Sequence, residues 1–126
     1  MISNYPITKF PNYSILFMSI RQITIIGTGL IGGSFALALR RRKFAGRIIG
    51  CDREAALERA KKCGVIDKGF CEPFDAVRGS QLVVLATPVL AIVDLIGRLG
   101  PSLPVHTLLT DVGLSLIHIY RCCRSA

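Results

Sequence analysis

Residues 20–32 read IRQITIIGTGLIG, and this stretch decides the fold. Its first half, Ile20–Ile26, is a β-branched run that stops at glycine, which is typical of a buried strand. The glycines that follow, Gly27, Gly29 and Gly32, have the spacing G-x-G-x-x-G at the point where a helix is predicted to begin. A strand, a turn with this spacing and a helix together indicate a site for the pyrophosphate of a dinucleotide.

The glycines of this turn are expected to have separate tasks. Gly27 allows the tight turn, Gly29 lets the backbone approach a pyrophosphate, and Gly32 permits close packing of the helix on the strand. The first turn of the helix adds free N–H groups and the positive end of its dipole. The turn, with Thr28 inside it, is therefore the first part of the candidate site.

Short apolar strands alternate with helices along the rest of the chain. The further predicted strands are Arg47–Cys51, Leu82–Ala86 and Val105–Val112, and the predicted helices are Leu30–Lys43, Glu54–Lys62, Pro73–Arg78 and Pro88–Leu99. This alternation implies right-handed crossovers and a doubly wound parallel sheet. The predicted fold class is α/β of Rossmann type, in which ligands bind at the carboxyl ends of the strands.

An acidic residue stands where such a site needs one. Asp52 ends the second strand, 20 residues after Gly32. A carboxylate there accepts hydrogen bonds from the adenosine ribose and repels a 2′-phosphate, which favours NAD over NADP. Asp52 as a cap of the next helix is the structural alternative. Arg53 keeps NADP open, because a guanidinium beside the ribose can tolerate a phosphate.

Two further strand ends carry candidate residues. Thr87 and Pro88 follow the strand Leu82–Ala86, where the Thr87 hydroxyl is expected to line the dinucleotide cleft or to cap the following helix. Asp111 ends the last strand at the same edge of the sheet, near the expected position of a nicotinamide ring. A structural cap is the alternative for Asp111.

Composition and charge exclude several classes of protein. Hydrophobic residues make up 51% of the 126 and charged residues 19%, which excludes a disordered chain. The apolar stretch 82–97 contains Pro88 and Asp94 and is shorter than the ~20 residues of a membrane span. The net charge is +8, but its basic run Arg40–Lys43 has no interleaved aromatics and is interpreted as the end of a helix. We therefore expect neither a membrane nor a nucleic acid as a partner.

The cysteines and histidines suggest no metal or secreted framework. Five cysteines without a CxxC pair, and an N-terminus without a signal peptide, are consistent with reduced thiols in a cytoplasmic protein. His106 and His118 do not have the spacing of zinc ligands. His106 is expected at the start of a strand, away from the ligand edge, so no catalytic residue is predicted in this chain.

Four segments in order resemble the N-terminal half of prephenate dehydrogenases: ITIIGTGLIGGSFALALRRRKFAGRIIGCDR, GVIDKG, LVVLATPVLAIVDLIGRL and TDVG. The resemblance covers about residues 19–113. It implies NAD(P)-dependent oxidative decarboxylation of prephenate to 4-hydroxyphenylpyruvate, a step of tyrosine biosynthesis. It also implies that the cofactor contacts are Gly27, Gly29, Leu30, Ile31, Gly32 and Asp52, with Thr87 and Pro88 beside the nicotinamide half.

The family pattern stops at Gly113. In the family, TDVG is followed by a serine and a lysine, and a later His-Pro-Met run takes part in catalysis, whereas here Leu114 follows. The segment Leu114–Ile119 resembles a translated sequencing adapter. The expected organisation is an extension at 1–17, an NAD(P)-binding domain at 18–113 and an artefactual tail at 114–126. The family's C-terminal helical domain is expected to be missing. Without it, the chain alone is expected neither to form the family's homodimer nor to be active.

Three interpretations of function remain open on the sequence. The chain supplies the dinucleotide-binding half of an enzyme whose small-molecule substrate is prephenate or arogenate. Alternatively, it belongs to another dehydrogenase of the β-hydroxyacid or imine-reducing type. The third interpretation is a dinucleotide-binding module without catalytic activity.

Overall fold

A computed structural model describes residues 20–113 of the chain. The expected extension at 1–17 and the expected tail at 114–126 lie outside the described residues. The elements in chain order are β1 (Gln22–Ile26), α1 (Leu30–Arg41), β2 (Arg47–Cys51), α2 (Glu54–Lys62), β3 (Lys68–Phe70), α3 (Pro73–Ala76), β4 (Leu82–Leu85), α4 (Val89–Leu99), a 3₁₀ turn (Gly100–Ser102) and β5 (Leu108–Asp111).

The five strands form one parallel sheet in the order β3-β2-β1-β4-β5. The chain moves outward from β1 to β3 and then crosses to β4 on the other side of β1. The order therefore reverses between β1 and β4, and the crevice at their carboxyl ends is where such a sheet binds ligands. This topology confirms the predicted α/β fold of Rossmann type.

Two apolar layers cover the sheet, because successive residues of each strand point to opposite faces. On one face, Ile25 and Ile48 pack with residues of α1 and α2 such as Ala36 and Leu57. On the other face, Leu85 and the remaining inward side chains pack with α3 and α4. The three inner strands, β1, β2 and β4, are buried on both sides, which explains why their sequences show apolar runs without alternation.

The ends of several elements differ from the prediction. Helix α1 ends at Arg41 rather than at Lys43, which has a positive φ of 58° and so lies outside the helix. Strand β5 begins at Leu108 rather than at Val105, because the Thr107 N–H donates to the Pro104 carbonyl and closes a turn there.

Smaller differences concern single residues at other boundaries. Ile20 and Arg21 precede β1, Ala86 follows β4, Pro88 precedes α4, and α3 stops at Ala76. Strand β3 was not predicted at all. In the described part of the chain, none of the helices is long and apolar enough to cross a membrane.

Candidate nucleotide-binding site

The turn between β1 and α1 lies at the point where the strand order reverses, and Gly27 holds it there. Gly27 has φ +95° and its N–H donates to the Cys51 carbonyl at 2.8 Å. A Cβ at this position would lie 2.5 Å from the carbonyl oxygen of Ala86. Both the backbone conformation and the space between β2 and β4 therefore require glycine here.

Gly32 lets α1 approach the turn closely. A Cβ on Gly32 would lie 1.9 Å from the carbonyl oxygen of Gly27 and 3.0 Å from Cγ2 of Ile25. This is the packing task that the spacing predicts for the third glycine. The first and third glycines are thus required by the fold itself.

Gly29 differs from the other two, because a side chain there would meet open space. No atom beyond its chain neighbours lies within 4 Å of an added Cβ. Gly29 is also the N-cap of α1, which has no side-chain cap and no acidic residue in its first turn. The N–H groups at the start of α1 therefore face an open surface where an anionic group can approach. Leu30 and Ile31, in the same helical turn, are exposed.

The Asp52 carboxylate is held by the glycine-rich turn. Its Oδ2 accepts hydrogen bonds from the Thr28 N–H at 2.8 Å and from Thr28 Oγ1 at 3.1 Å, and its Oδ1 accepts from the Arg53 N–H at 2.7 Å. Arg53, not Asp52, is the N-cap of α2, and that helix has no side-chain cap. The helix-cap alternative for Asp52 is therefore wrong. The exposed Arg53 is the next residue along the chain.

The Thr87 hydroxyl is buried without a partner. Among the described residues, its Oγ1 is the one buried side-chain polar atom that makes no hydrogen bond. Pro88 is the N-cap of α4, and no side chain caps that helix, so the cap alternative for Thr87 is wrong as well. A buried hydroxyl without a partner costs free energy, and a hydrogen-bonding ligand would recover it. Thr87 lies beside the turn, with its Cγ2 3.1 Å from the position of a Cβ on Gly27.

Asp111 lies at the same sheet edge, since it pairs with Leu85 in the β4–β5 ladder. Its Oδ2 accepts from the Gly113 N–H at 2.8 Å and closes a local turn after β5. The structural alternative for Asp111 thus has a specific contact behind it. Asp111 lies beside the carboxyl end of β4, at the sheet edge where the sequence predicts it.

Cys51 and His106 belong to residue types that often act in catalysis. Burial, followed by the negative charge of Asp52, raises the pKa of the Cys51 thiol to about 12, so it is no nucleophile at neutral pH. His106 is the one histidine between residues 20 and 113, and it is exposed in the turn before β5, at the edge opposite the cleft. Within the same range, no group of three or more potential metal ligands is close enough to hold a metal ion.

A cavity of about 470 Å³ opens between α1 and α2 and shares Thr28 and Gly29 with the turn. Its wall also includes Ser34, Arg59 and Cys63, which the sequence did not suggest as site residues. These three side chains belong to helix faces with no recognisable binding pattern. All of the lining residues lie between positions 28 and 65, so the cavity extends away from the ends of β4 and β5.

The match to a family of known proteins covers most of the domain. A model of the family "Prephenate dehydrogenase, nucleotide-binding domain" matches residues 35–119. A prephenate dehydrogenase of Bacillus subtilis is 40% identical over 93 residues, which are 72% of this chain and 25% of that protein. The chain spans about a quarter of the length of the curated relatives it matches.

Solved structures give the same result. The prephenate dehydrogenase of A. aeolicus, crystallised with hydroxyphenyl propionate and NAD+, aligns with a TM-score of 0.69 and 31% identity over 75% of this chain and 34% of that one. An arogenate dehydrogenase of Synechocystis aligns with a TM-score of 0.65 and 30% identity, over 73% of this chain and 32% of that one.

Proposed function

Because the chain belongs to the family of prephenate dehydrogenase nucleotide-binding domains, we propose that residues 18–113 bind NAD for a dehydrogenase of this kind. The observation that carries the proposal is the open surface at Gly29. It lies in a turn that the Asp52 carboxylate contacts through Thr28 and that Thr87 borders through Gly27. This is the arrangement in which a dinucleotide can lie across the carboxyl ends of parallel strands.

Each part of the cofactor has a corresponding group of residues. The pyrophosphate would contact Gly29 and the N–H groups of Leu30–Gly32, because the helix N-terminus favours negative charge there. The adenosine ribose would donate to Asp52. The nicotinamide half would lie near Thr87, Pro88 and Asp111, where the buried Thr87 hydroxyl would gain a partner. These residues would hold and orient the nicotinamide, which would supply the hydride acceptor for the substrate.

The local charge favours NAD over NADP. A 2′-phosphate on the ribose would meet the Asp52 carboxylate, which Thr28 and the Arg53 N–H hold in place. Arg53 is the next residue and is exposed, so its positive charge would reduce this repulsion without replacing the carboxylate. We therefore propose NAD as the cofactor, with NADP bound more weakly.

Membership of the family supports a choice of substrate. We propose that the domain serves the oxidative decarboxylation of prephenate, with substrate contacts and dimer formation located outside residues 18–113. Arogenate is the second candidate substrate, and the similarity to the Synechocystis arogenate dehydrogenase favours it. With either substrate, the proposed role of residues 18–113 is to bind the cofactor.

Calorimetric titration with NAD and NADP tests the proposal on the 126-residue chain. We expect the wild type to bind NAD more tightly than NADP. Asp52→Ser should weaken NAD binding by about tenfold, the effect of losing a hydrogen bond to a charged group, and improve the relative affinity for NADP. Asp94→Ser is the matched control, because Asp94 is an exposed acid on α4 whose partner is Arg98. A wild-type chain that binds neither nucleotide would contradict the proposal.

A further inference from the structure

We propose that Thr28 is a positioning residue that fixes the Asp52 carboxylate and thereby sets the preference for NAD over NADP. The inference rests on the proposed NAD binding. The preference for NAD over NADP is then due to the contact between Thr28 and Asp52. The usual explanation would be the Asp52 carboxylate alone.

The first observation is that one residue binds one carboxylate oxygen twice. The N–H and the Oγ1 of Thr28 both donate to Oδ2 of Asp52, at 2.8 and 3.1 Å. The Arg53 N–H donates to Oδ1 at 2.7 Å. An ionised carboxylate has about four lone-pair positions, so these bonds leave about one on Oδ1 for a ribose hydroxyl.

The second observation is that the Thr28 methyl group lies against the backbone of β2. A Cβ on Gly50 would be 2.9 Å from Cγ2 of Thr28. Because threonine is β-branched and stiff at χ1, its methyl needs room on this side when its hydroxyl donates to Asp52, and a side chain on residue 50 would take that room. Gly50 thus provides the space in which Thr28 connects the turn to the end of β2.

This arrangement has consequences for both cofactors. A carboxylate that is already immobilised can accept a ribose hydroxyl without a further loss of side-chain entropy. It also cannot turn away from a 2′-phosphate, so the like-charge repulsion acts in full. Without the Thr28 hydroxyl, the carboxylate keeps the bonds from the Thr28 and Arg53 N–H groups but loses the third bond, so it is held less rigidly. NAD would then bind more weakly, and NADP would be penalised less.

The test compares NADH and NADPH binding, measured by nucleotide fluorescence, in the full chain and three variants. Thr28→Val keeps the shape of the side chain and removes the hydroxyl. We expect it to lower the ratio of the NADPH dissociation constant to the NADH dissociation constant by about three- to tenfold. This is the effect expected when one side chain has to be immobilised again on binding. Thr28→Ser keeps the hydroxyl and should stay near the wild-type ratio. Thr107→Val is the control, because it removes a hydroxyl that donates to the Ser80 carbonyl at the opposite sheet edge.

The possible outcomes separate this inference from the proposed function. If Thr28→Val leaves the ratio of the two dissociation constants unchanged, or lowers the affinity for both nucleotides equally, the proposed role of Thr28 is wrong. The proposed NAD site is not affected by that result. A wild type that binds neither nucleotide overturns both proposals. In the isotope-labelled chain without nucleotide, the side-chain carboxyl resonance of Asp52 should move in Thr28→Val and stay in Thr107→Val. An unmoved resonance would show that the hydroxyl does not hold the carboxylate.

Discussion

At the scale of single residues, Gly29 and Gly32 lie three positions apart and tolerate a side chain very differently. Gly29 faces open space, so Gly29→Val should fold and lose only about 1 kcal/mol, as expected for a poor N-cap residue. Its side chain would nevertheless stand where a pyrophosphate has to approach the backbone. We expect NAD binding to fall below detection in calorimetry while the thermal midpoint drops by a few degrees.

Gly32→Ala is the matched comparison. Its methyl group would collide with the Gly27 carbonyl oxygen, and the strain should cost about 3 kcal/mol of folding free energy. Thermal unfolding should therefore shift strongly in Gly32→Ala and little in Gly29→Val. Similar shifts in both variants would make Gly29 a structural glycine and remove the main support for the NAD site.

The sequence identifies most of the candidate residues but not the contacts between them. The glycine spacing and the acid at the end of β2 are local patterns, and each is visible within a few residues. The bonds from Thr28 to Asp52 join positions 24 residues apart and depend on the approach of the turn to β2. The cap alternatives for Asp52 and Thr87 fail because Arg53 and Pro88 are the N-caps of α2 and α4, and neither helix has a side-chain cap.

At the scale of elements, the end of α1 carries a residue that is unsuited to its conformation. Lys43 has a φ of 58°, in the left-handed region that favours glycine. Lys43→Gly should raise the stability by about 1 kcal/mol by relieving this backbone strain, or roughly 4–8 °C in thermal midpoint. Lys43→Ala keeps the strained conformation and is the control. An equal gain in stability in Lys43→Ala would show that the effect comes from removing the lysine side chain and not from the backbone conformation.

The connection between α2 and β3 makes stability depend on pH. Partial burial favours a higher pKa for Asp67, but hydrogen bonds from Arg40 and the Ile48 N–H, with the charges of Arg40 and Arg47, outweigh it, so the pKa lies below the usual 3.8. The stabilisation by this carboxylate is complete well above pH 3.8 and is lost as the pH falls through the lowered value.

Asp67→Asn should therefore flatten the acid side of the stability profile, measured by urea unfolding at several pH values. The Arg40 contact at 2.6 Å would lose its charged partner. Asp94→Asn, at an exposed site on α4, should leave the profile close to that of the wild type. A parallel profile for the Asp67 variant would indicate that this carboxylate does not contribute to acid unfolding.

Strand β3 shows which element the sequence could not predict. It has three residues, Lys68–Phe70, at the edge of the sheet, and its central Gly69 weakens any strand pattern. Its position depends on β2, since Ile49–Cys51 pair with it and Leu57 of α2 packs over Gly69. The longer buried strands were predictable because their apolar runs follow from burial on both faces.

At the scale of the whole molecule, the residues proposed to bind the cofactor include no histidine that could take the proton of a substrate hydroxyl. Hydride transfer from such a substrate needs the reacting atoms ~3–3.5 Å apart and commonly a general base, most often histidine. His106 is at the wrong edge of the sheet, and the Cys51 thiol stays protonated at neutral pH. Positioning and proton transfer together supply many orders of magnitude in rate.

We therefore expect the 126-residue chain to bind NAD without forming NADH from prephenate. The measurement is NADH absorbance after addition of prephenate, with the prephenate dehydrogenase of Bacillus subtilis as the positive control. NADH fluorescence titration of the same sample ensures that a lack of turnover does not reflect an empty or unfolded site. Steady turnover by the chain would mean that a group in it acts as the base, and His106→Ala would show whether that group is His106. Turnover that survives this substitution would show that a group other than His106 accepts the proton.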